Sequence, residues 1–268
     1  MADTFFTVTV DGDDEWFVPT DHTRGPWDPA SCHAGPPAGL LARAFERLVP
    51  TMRLARVTLD LTRPIPMAGF RIESEVVRAG RSVATARATI VDADGAARVT
   101  ASGLYVATAS DPVLDRTLGI VDTPALADAE PGDFPIAPAV DGRPPGFNGA
   151  GIAVRYPPGD GPTPGPTTMW MRTVDLLPHE PMSPFQRVCP LADCGNALSR
   201  HTEPWDVAFV NVDLTIVLHR DPVGEWIGTR VASHWQPTGV GLADATLFDD
   251  AGPVGTALQA MLLRLAAR

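Results

Sequence analysis

The order of helix and strand signals constrains this chain most, because the same order occurs twice along it. In the first half, apolar residues recur at helical spacing within "HAGPPAGLLARAFERLVP", which predicts a helix at about 37–48. Apolar and polar residues then alternate in 53–66, as they do in a half-buried strand. The turn signals "RAGR" and "DADG" separate three further strand-like segments, at 70–80, 81–95 and 96–108. We therefore expect one helix followed by an antiparallel meander.

The second half repeats this layout. The segment "PLADCGNALSR", residues 190–200, is expected to form the helix. The strand after it is expected in "VAFVNVDLTIVLHR", residues 207–220, and three more strand-like segments follow within 224–264. Helix and meander thus appear in the same order as in the first half.

Individual residues also support an internal duplication. At an offset of 157 residues, "RATIVDADGAARVTASGLYVA" lies over "DATLFDDAGPVGTALQAMLLR". This alignment pairs Gly95 with Gly252 and Ser102 with Gln259.

The duplication divides the chain into two predicted repeats, at 1–109 and 148–268. Each repeat is expected to open with a strand, "DTFFTVTVDG" in the first and "GAGIAVRY" with "TTMWMR" in the second. The segment between them, 110–147, is rich in Pro, Asp and Ala and lacks sustained periodicity, so we expect a linker.

Composition excludes several classes of function. A net charge of −11 argues against a nucleic-acid partner, because phosphate binding depends on clustered cations. Neither a leader nor an apolar run long enough to span a membrane is evident, so a cytoplasmic protein is expected. The three cysteines lack CxxC spacing, and the sequence has no GxGxxG, P-loop or GxSxG motif. Neither a metal nor a cofactor is therefore expected.

One aspartate, Asp193, lies in the otherwise small and apolar run "CPLADCGNALSR". A buried carboxylate is costly, so it is paired, caps a helix or takes part in chemistry. Gln259 has apolar neighbours on both sides, and a buried amide needs hydrogen-bond partners. Those hydrogen bonds could belong to a functional site or be purely structural. Asn211 falls on a polar strand face that solvation explains equally well. His33 and His219 are expected at the surface or at strand ends.

Several segments together resemble a known family. In order they are "GPWDP", "HAGPPAGLLARAFE", "PLADCGNALS", "DLTIVLHRDPVGEWIG" and "GPVGTALQAMLLR". They resemble the acyl-CoA thioesterase II (TesB-like) group, and particularly its actinobacterial thioesterase-like branch, over about residues 5–108 and 148–264. The resemblance implies an α+β double hotdog, in which each of two repeats wraps an antiparallel sheet around one long helix. It also implies a homodimer.

The function implied by this resemblance is hydrolysis of acyl-CoA without a covalent intermediate, within fatty acid metabolism. By position, Asp193, Asn211 and Gln259 would hold the attacking water; Asn211 stands where the family has Thr or Ser, and its amide can still hydrogen-bond water. Thioester hydrolysis also needs donors for the developing oxyanion. Backbone N–H groups of Gly195 or Asn196, at the expected helix start, are the candidates.

Two other functions stay open. One is a non-hydrolytic acyl-thioester-binding protein, in which Asn211 has weakened the water site. The other is a hotdog hydratase or dehydratase acting on 3-hydroxyacyl thioesters, although "PLADCGNALSR" lacks the His that a His-plus-acid dyad needs.

Arginines are the cations available for the phosphates of coenzyme A. The candidates are Arg53, Arg56, Arg63, Arg78, Arg81, Arg200 and Arg220.

Overall fold

The computed structural model describes residues 4–12, 14–117, 119, 122–136 and 146–266. In the first half, helix α1 spans Gly35–Leu48. The strands of this half are β1 Phe6–Asp11, β2 Asp14–Pro19, β3 Arg53–Leu61, β4 Phe70–Ala79, β5 Val83–Val91 and β6 Ala97–Val106. The predicted helix and the four predicted meander strands are all present, and β2 adds a strand that the sequence pattern did not predict.

The second half has the same order of elements. Its helices are α2 Pro184–Ala192 and the short α3 Gly195–Leu198. Its strands are β7 Glu130–Gly132, β8 Ile152–Tyr156, β9 Thr167–Thr173, β10 Val207–Asn211, β11 Asp213–Leu218, β12 Ile227–Trp235, β13 Val240–Asp249 and β14 Gly252–Leu265. Strand β7 lies inside the segment expected to be a linker and pairs with β8, while residues 137–145 of that segment lie outside the described residues.

The strands form one antiparallel sheet that is nearly symmetric about its centre. Its order is β1-β2-β4-β5-β6-β3-β11-β14-β13-β12-β9-β8-β7, with β10 also paired to β14. The two halves meet where β3 pairs with β11, and there Thr58 lies opposite Thr215, with their Oγ1 atoms 3.1 Å apart. These two threonines are separated by 157 residues, the offset of the sequence repeat. The centre of the sheet is therefore the approximate twofold axis of a double hotdog, as predicted.

The repeat alignment holds at the hairpin turns but not beyond them. Gly95 and Gly252 both have positive φ, 80° and 112°; Gly95 lies in the turn before β6, and Gly252 is the first residue of β14. Ser102 is exposed, however, whereas Gln259 is buried. The two hairpins differ in turn length and contain β-bulges, so the inward-facing positions of β6 and β14 are shifted relative to the sequence alignment.

The second helix differs from the expected 190–200. It begins at Pro184, where the Ser183 hydroxyl caps it by accepting a hydrogen bond from the Gln186 backbone N–H at 3.2 Å. It ends at Ala192, and a break separates it from α3. The prediction was wrong in extent because an apolar run marks a buried segment without marking where a helix is interrupted. Asp193 occupies the C-terminal cap of α2 rather than a helix N-cap.

The strand expected at 207–220 is likewise interrupted, at Val212. Asn211 lies opposite Met261 of β14, whereas Thr215 lies opposite Leu258, so the register changes by one residue across the interruption. An extra residue reverses the alternation of a strand. Asn211 thereby turns inward, although strict alternation grouped it with solvated positions such as Thr215.

Helices α1 and α2 pack against each other inside the sheet. The start of α1 meets the end of α2 closely: a Cβ on Gly35 would lie 2.8 Å from the Cα of Pro190. Only a glycine allows this approach, which brings the first turn of α1 next to Asp193. None of the described helices has the length and apolarity that crossing a bilayer requires.

Candidate active site

Asp193 is the centre of a buried polar cluster. Its side chain is 4% exposed, and its Oδ1 accepts hydrogen bonds from Asn211 Nδ2 at 2.7 Å and from Gln259 Nε2 at 3.3 Å. The backbone N–H groups of Ala34 and Gly35, at the start of α1, also face the carboxylate. The three residues predicted from the sequence are therefore brought together, and the first repeat contributes a helix N-terminus that the sequence did not reveal.

Burial raises the pKa of Asp193 to about 7. The hydrogen bond from Asn211 lowers this pKa, and those from Gly35, Gln259 and Ala34 do so to a lesser extent, but burial outweighs them. A carboxyl group with a pKa near neutrality can take up and release a proton at physiological pH, which is what a general base requires.

His33 lies beside this carboxyl group, contrary to its expected place at the surface. Its Nδ1 is 3.1 Å from Asp193 Oδ2, its side chain is 12% exposed, and its ring stacks on Phe147 at 3.9 Å. Burial lowers the pKa of His33 to about 3, so the imidazole is neutral and the contact is a hydrogen bond rather than an ion pair.

The His33 tautomer depends on the protonation of Asp193. With Asp193 ionised, His33 Nδ1 carries a hydrogen and donates it to the carboxylate. With Asp193 protonated, Nδ1 accepts, both from the carboxyl O–H and from the Gly35 backbone N–H at 3.2 Å. No periodicity or spacing links the two residues, because they lie in different repeats, so the sequence held no signal for this contact.

Gln259 lies behind Asp193 and does not line the cavity at the site. Its Nε2 donates to the Asp193 backbone O at 3.1 Å, and its Oε1 accepts from the Asn196 backbone N–H at 2.8 Å. Gly195 allows this arrangement, since a Cβ there would lie 2.8 Å from Gln259 Oε1. Both ends of the amide are thus used within the protein. Gln259 therefore positions Asp193, whereas the sequence predicted that it would contact the attacking water directly.

The predicted oxyanion donors also need correction. The Asn196 backbone N–H is already bonded to Gln259, and Gly195 is absent from the cavity lining. The Asn196 side chain does line the cavity, and its Nδ2 donates to Asn211 Oδ1 at 3.2 Å. Each of these two side-chain amides has two N–H groups, one of which is used within the cluster.

A cavity of about 340 Å³ opens over this cluster. The polar part of its wall includes His33, Asp193, Asn196, Asn211 and Asn148, together with Asp28, Ser31, Thr62 and Arg63. The apolar part includes Trp27, Leu61, Ile65, Phe134, Ile136, Val210 and Val212. A cavity of this size, apolar with a few convergent polar groups, is typical of a small-molecule site. The described residues include no His, Cys, Asp and Glu cluster suited to holding a metal ion.

A second carboxylate, Glu46, makes the reciprocal contact between the two helices and has different surroundings. Glu46 of α1 accepts hydrogen bonds from Ser183 Oγ and Gln186 Nε2, each at 2.7 Å, at the start of α2. Each helix therefore offers a carboxylate to the start of the other. Glu46 is absent from the cavity lining, whereas Asp193 is part of it, so only Asp193 is placed to meet a ligand there.

Comparisons with known proteins agree with this architecture. Residues 23–106 match the model for an acyl-CoA thioesterase N-terminal domain, and residues 129–263 match the model for the C-terminal domain. No curated protein sequence matches the chain significantly.

Solved structures resemble the chain over nearly its whole length. A candidate thioesterase from Novosphingobium aromaticivorans is 20% identical, with 98% of this chain and 100% of that chain covered and a TM-score of 0.74. A hot dog fold protein of unknown function from Alicyclobacillus acidocaldarius is 16% identical, with 97% and 96% covered and a TM-score of 0.70. The acyl-CoA thioesterase II TesB2 from Mycobacterium marinum is 18% identical, with 97% and 95% covered and a TM-score of 0.61.

Proposed function

The chain belongs to the acyl-CoA thioesterase family, and on that premise we propose that it hydrolyses acyl-CoA to a free acid and coenzyme A by direct attack of water. One observation carries the proposal: Asp193, Asn211 and Asn196 converge on the polar wall of a single apolar cavity. An apolar cavity suits the acyl chain, and the polar wall suits the thioester carbonyl.

Asp193 acts as the general base. In its ionised form it takes a proton from a water molecule in the cavity as the water oxygen attacks the thioester carbon. The C–S bond then breaks, and the proton passes to the departing sulfur. His33 donates its Nδ1 hydrogen to the ionised carboxylate and so holds it in place, while Gln259 fixes its other oxygen.

The developing oxyanion needs donors, and the side-chain amides of Asn196 and Asn211 supply them. Each amide uses one N–H within the cluster and lines the cavity, so the second N–H is available to the substrate. Asn211 therefore supplies a hydrogen-bond donor at the position where the family has a hydroxyl residue.

Arg63 is our candidate contact for the phosphates of coenzyme A. Of the seven arginines considered from the sequence, it is the one that lines the cavity, and its side chain makes no hydrogen bond or ion pair with the described residues. By contrast, Arg53 pairs with Asp221 and Arg220 with Asp249.

A cysteine acyl-enzyme is disfavoured. Cys32 lines the cavity, but burial raises the pKa of its thiol, and a thiol that stays protonated is a poor nucleophile. This supports water as the attacking group.

The test is release of free thiol from acyl-CoAs of short to long chain length. Asp193→Asn is expected to lower kcat/KM by at least about 100-fold, because the amide cannot act as a base. Glu46→Gln is the matched control, since it changes the carboxylate of the reciprocal helix contact, which lies outside the cavity lining, and is expected to retain activity. Full activity in Asp193→Asn would exclude the mechanism, and tight binding without turnover in the wild type would favour a non-hydrolytic binder.

The contact between His33 and Asp193 favours a second candidate, a hydratase or dehydratase of 3-hydroxyacyl thioesters. The His that such a dyad needs is absent from the helix of Asp193 but is supplied by the other repeat, 3.1 Å away. Hydration of crotonyl-CoA, followed by loss of enoyl absorbance, distinguishes the two reactions. The homodimer, the cytoplasmic location and the role in fatty acid metabolism stay predictions from the sequence.

A further inference from the structure

Asn148 is a buried amide on the wall of the same cavity, and nothing in the proposed mechanism uses it. It is 9% exposed and lies in a short π-helical turn, Phe147–Gly151, directly after the ring that stacks on His33. Asn148 therefore joins the cavity wall from a different element than Asp193, which caps the C-terminal end of α2, and Asn211, which lies on β10.

The hydrogen bonds of Asn148 determine which end of its amide is free. Nδ2 donates to the Ile136 backbone O at 3.2 Å, and an amide oxygen could not occupy that place, because two acceptors do not bond to each other. The other end is therefore Oδ1, which is buried and has no hydrogen-bond partner within the described part of the chain. An unsatisfied acceptor in a buried place is unfavourable, and native proteins rarely leave one without a partner or a function.

We propose, as a consequence of the proposed function, that Asn148 Oδ1 accepts a hydrogen bond from the bound acyl thioester. The thioester group itself offers only acceptors, so the donor must lie beside it. Two groups qualify: the amide N–H of the cysteamine unit, two carbons from the sulfur, and a hydroxyl on the acyl chain. In the first case Asn148 anchors every coenzyme A substrate, and in the second it selects hydroxylated acyl chains.

Three thioesters distinguish these sources. Octanoyl S-ethyl thioester has no donor, the N-acetylcysteamine thioester of octanoate has the amide N–H, and the N-acetylcysteamine thioester of 3-hydroxyoctanoate has both. The quantity compared is the ratio of kcat/KM values between substrates in one variant, because a general loss of folded protein cancels in a ratio.

In Asn148→Leu, which removes the acceptor at similar volume, the preference for the substrate bearing the responsible donor is expected to fall about 10-fold. A fall for both N-acetylcysteamine thioesters relative to the S-ethyl thioester identifies the amide N–H. A fall for the hydroxylated substrate alone identifies the hydroxyl. An equal change for all three overturns the proposal.

Two further variants serve as a second test and as a control. Asn148→Ala removes the same oxygen with less bulk and is expected to give the same ratios. It replaces the Leu variant if that variant folds poorly. Gln186→Leu removes another buried amide, which bonds to Glu46 away from the cavity, and is expected to leave the ratios unchanged.

Failure of the proposed function is separable from failure of this inference. If the wild type hydrolyses none of the three thioesters, their binding to the wild type and to Asn148→Leu is measured by calorimetry. A selective loss of affinity for the donor-bearing thioesters would uphold the role of Asn148 without hydrolysis, and equal affinities in both proteins would overturn it.

Discussion

At the level of single residues, the free energy of ionising Asp193 governs the site. Burial opposes the charged form, while donors from Asn211, Gly35 and Gln259 favour it, and the resulting pKa is about 7. The carboxylate is thus held ready to accept a proton, at a cost in stability whenever it is ionised.

This cost can be measured through the pH dependence of stability. The folded pKa of Asp193, about 7, lies above its unfolded value of about 3.9. Its contribution to stability is therefore fully present below about pH 4 and is lost as the pH rises through about 7. Asp193→Asn is expected to gain melting temperature over the wild type by a few degrees at pH 8 and by less at pH 5, in thermal unfolding followed by circular dichroism. An equal difference at both pH values would contradict the raised pKa.

The same pKa predicts the pH dependence of activity. Because the general base must be ionised, kcat/KM is expected to rise with pH and to level off above about 7. His33→Phe keeps a ring against Phe147 but removes the hydrogen bond to the carboxylate, so the apparent pKa should rise. A pH–rate profile with one acyl-CoA substrate measures both values, and an unchanged or lower apparent pKa in the variant would count against the role of His33.

At the level of elements, two interruptions build the site. The break between α2 and α3 leaves Asp193 at a helix end, and the irregularity at Val212 turns Asn211 inward. Neither break follows from periodicity, which identified both segments as continuous. Local irregularities of this kind, at positions that carry chemistry, are where pattern-based prediction is expected to fail.

The start of α2 provides an element-level prediction. Ser183 both caps this helix and donates to Glu46, so Ser183→Ala removes two hydrogen bonds and leaves a half-buried carboxylate with one donor fewer. We expect a loss of about 1–2 kcal/mol in urea unfolding, with activity per folded molecule unchanged. Ser183→Thr keeps a hydroxyl and is the control; a comparable loss there would show that the hydroxyl is not responsible.

At the level of the whole molecule, the two repeats share one sheet and one site. Strands β3 and β11 join them, and Arg43 of the first repeat is bonded both to Glu15 and to Glu180 of the second. Asp193 of the second repeat faces backbone N–H groups and an imidazole of the first. Neither half contains the polar cluster by itself.

The shared sheet predicts a single unfolding transition. Leu59 and Leu214 are buried partners across the joint between the repeats. Leu59→Ala and Leu214→Ala are each expected to destabilise the whole protein by about 2–5 kcal/mol. Calorimetry should then show one transition that moves to lower temperature in both variants. Two separate transitions, each affected by one substitution, would mean that the repeats unfold independently.

The repeated order of elements, the offset between the repeats, and two polar residues expected to need buried partners, Asp193 and Gln259, can all be read from the amino-acid pattern. Alternation and helical spacing carry this information because they describe local geometry. Folding of the whole chain, by contrast, brings His33 and the start of α1 to Asp193 and bonds the Asn196 backbone N–H to Gln259. Those contacts join residues far apart in the chain, and they depend on a strand register and a helix break that no local pattern records.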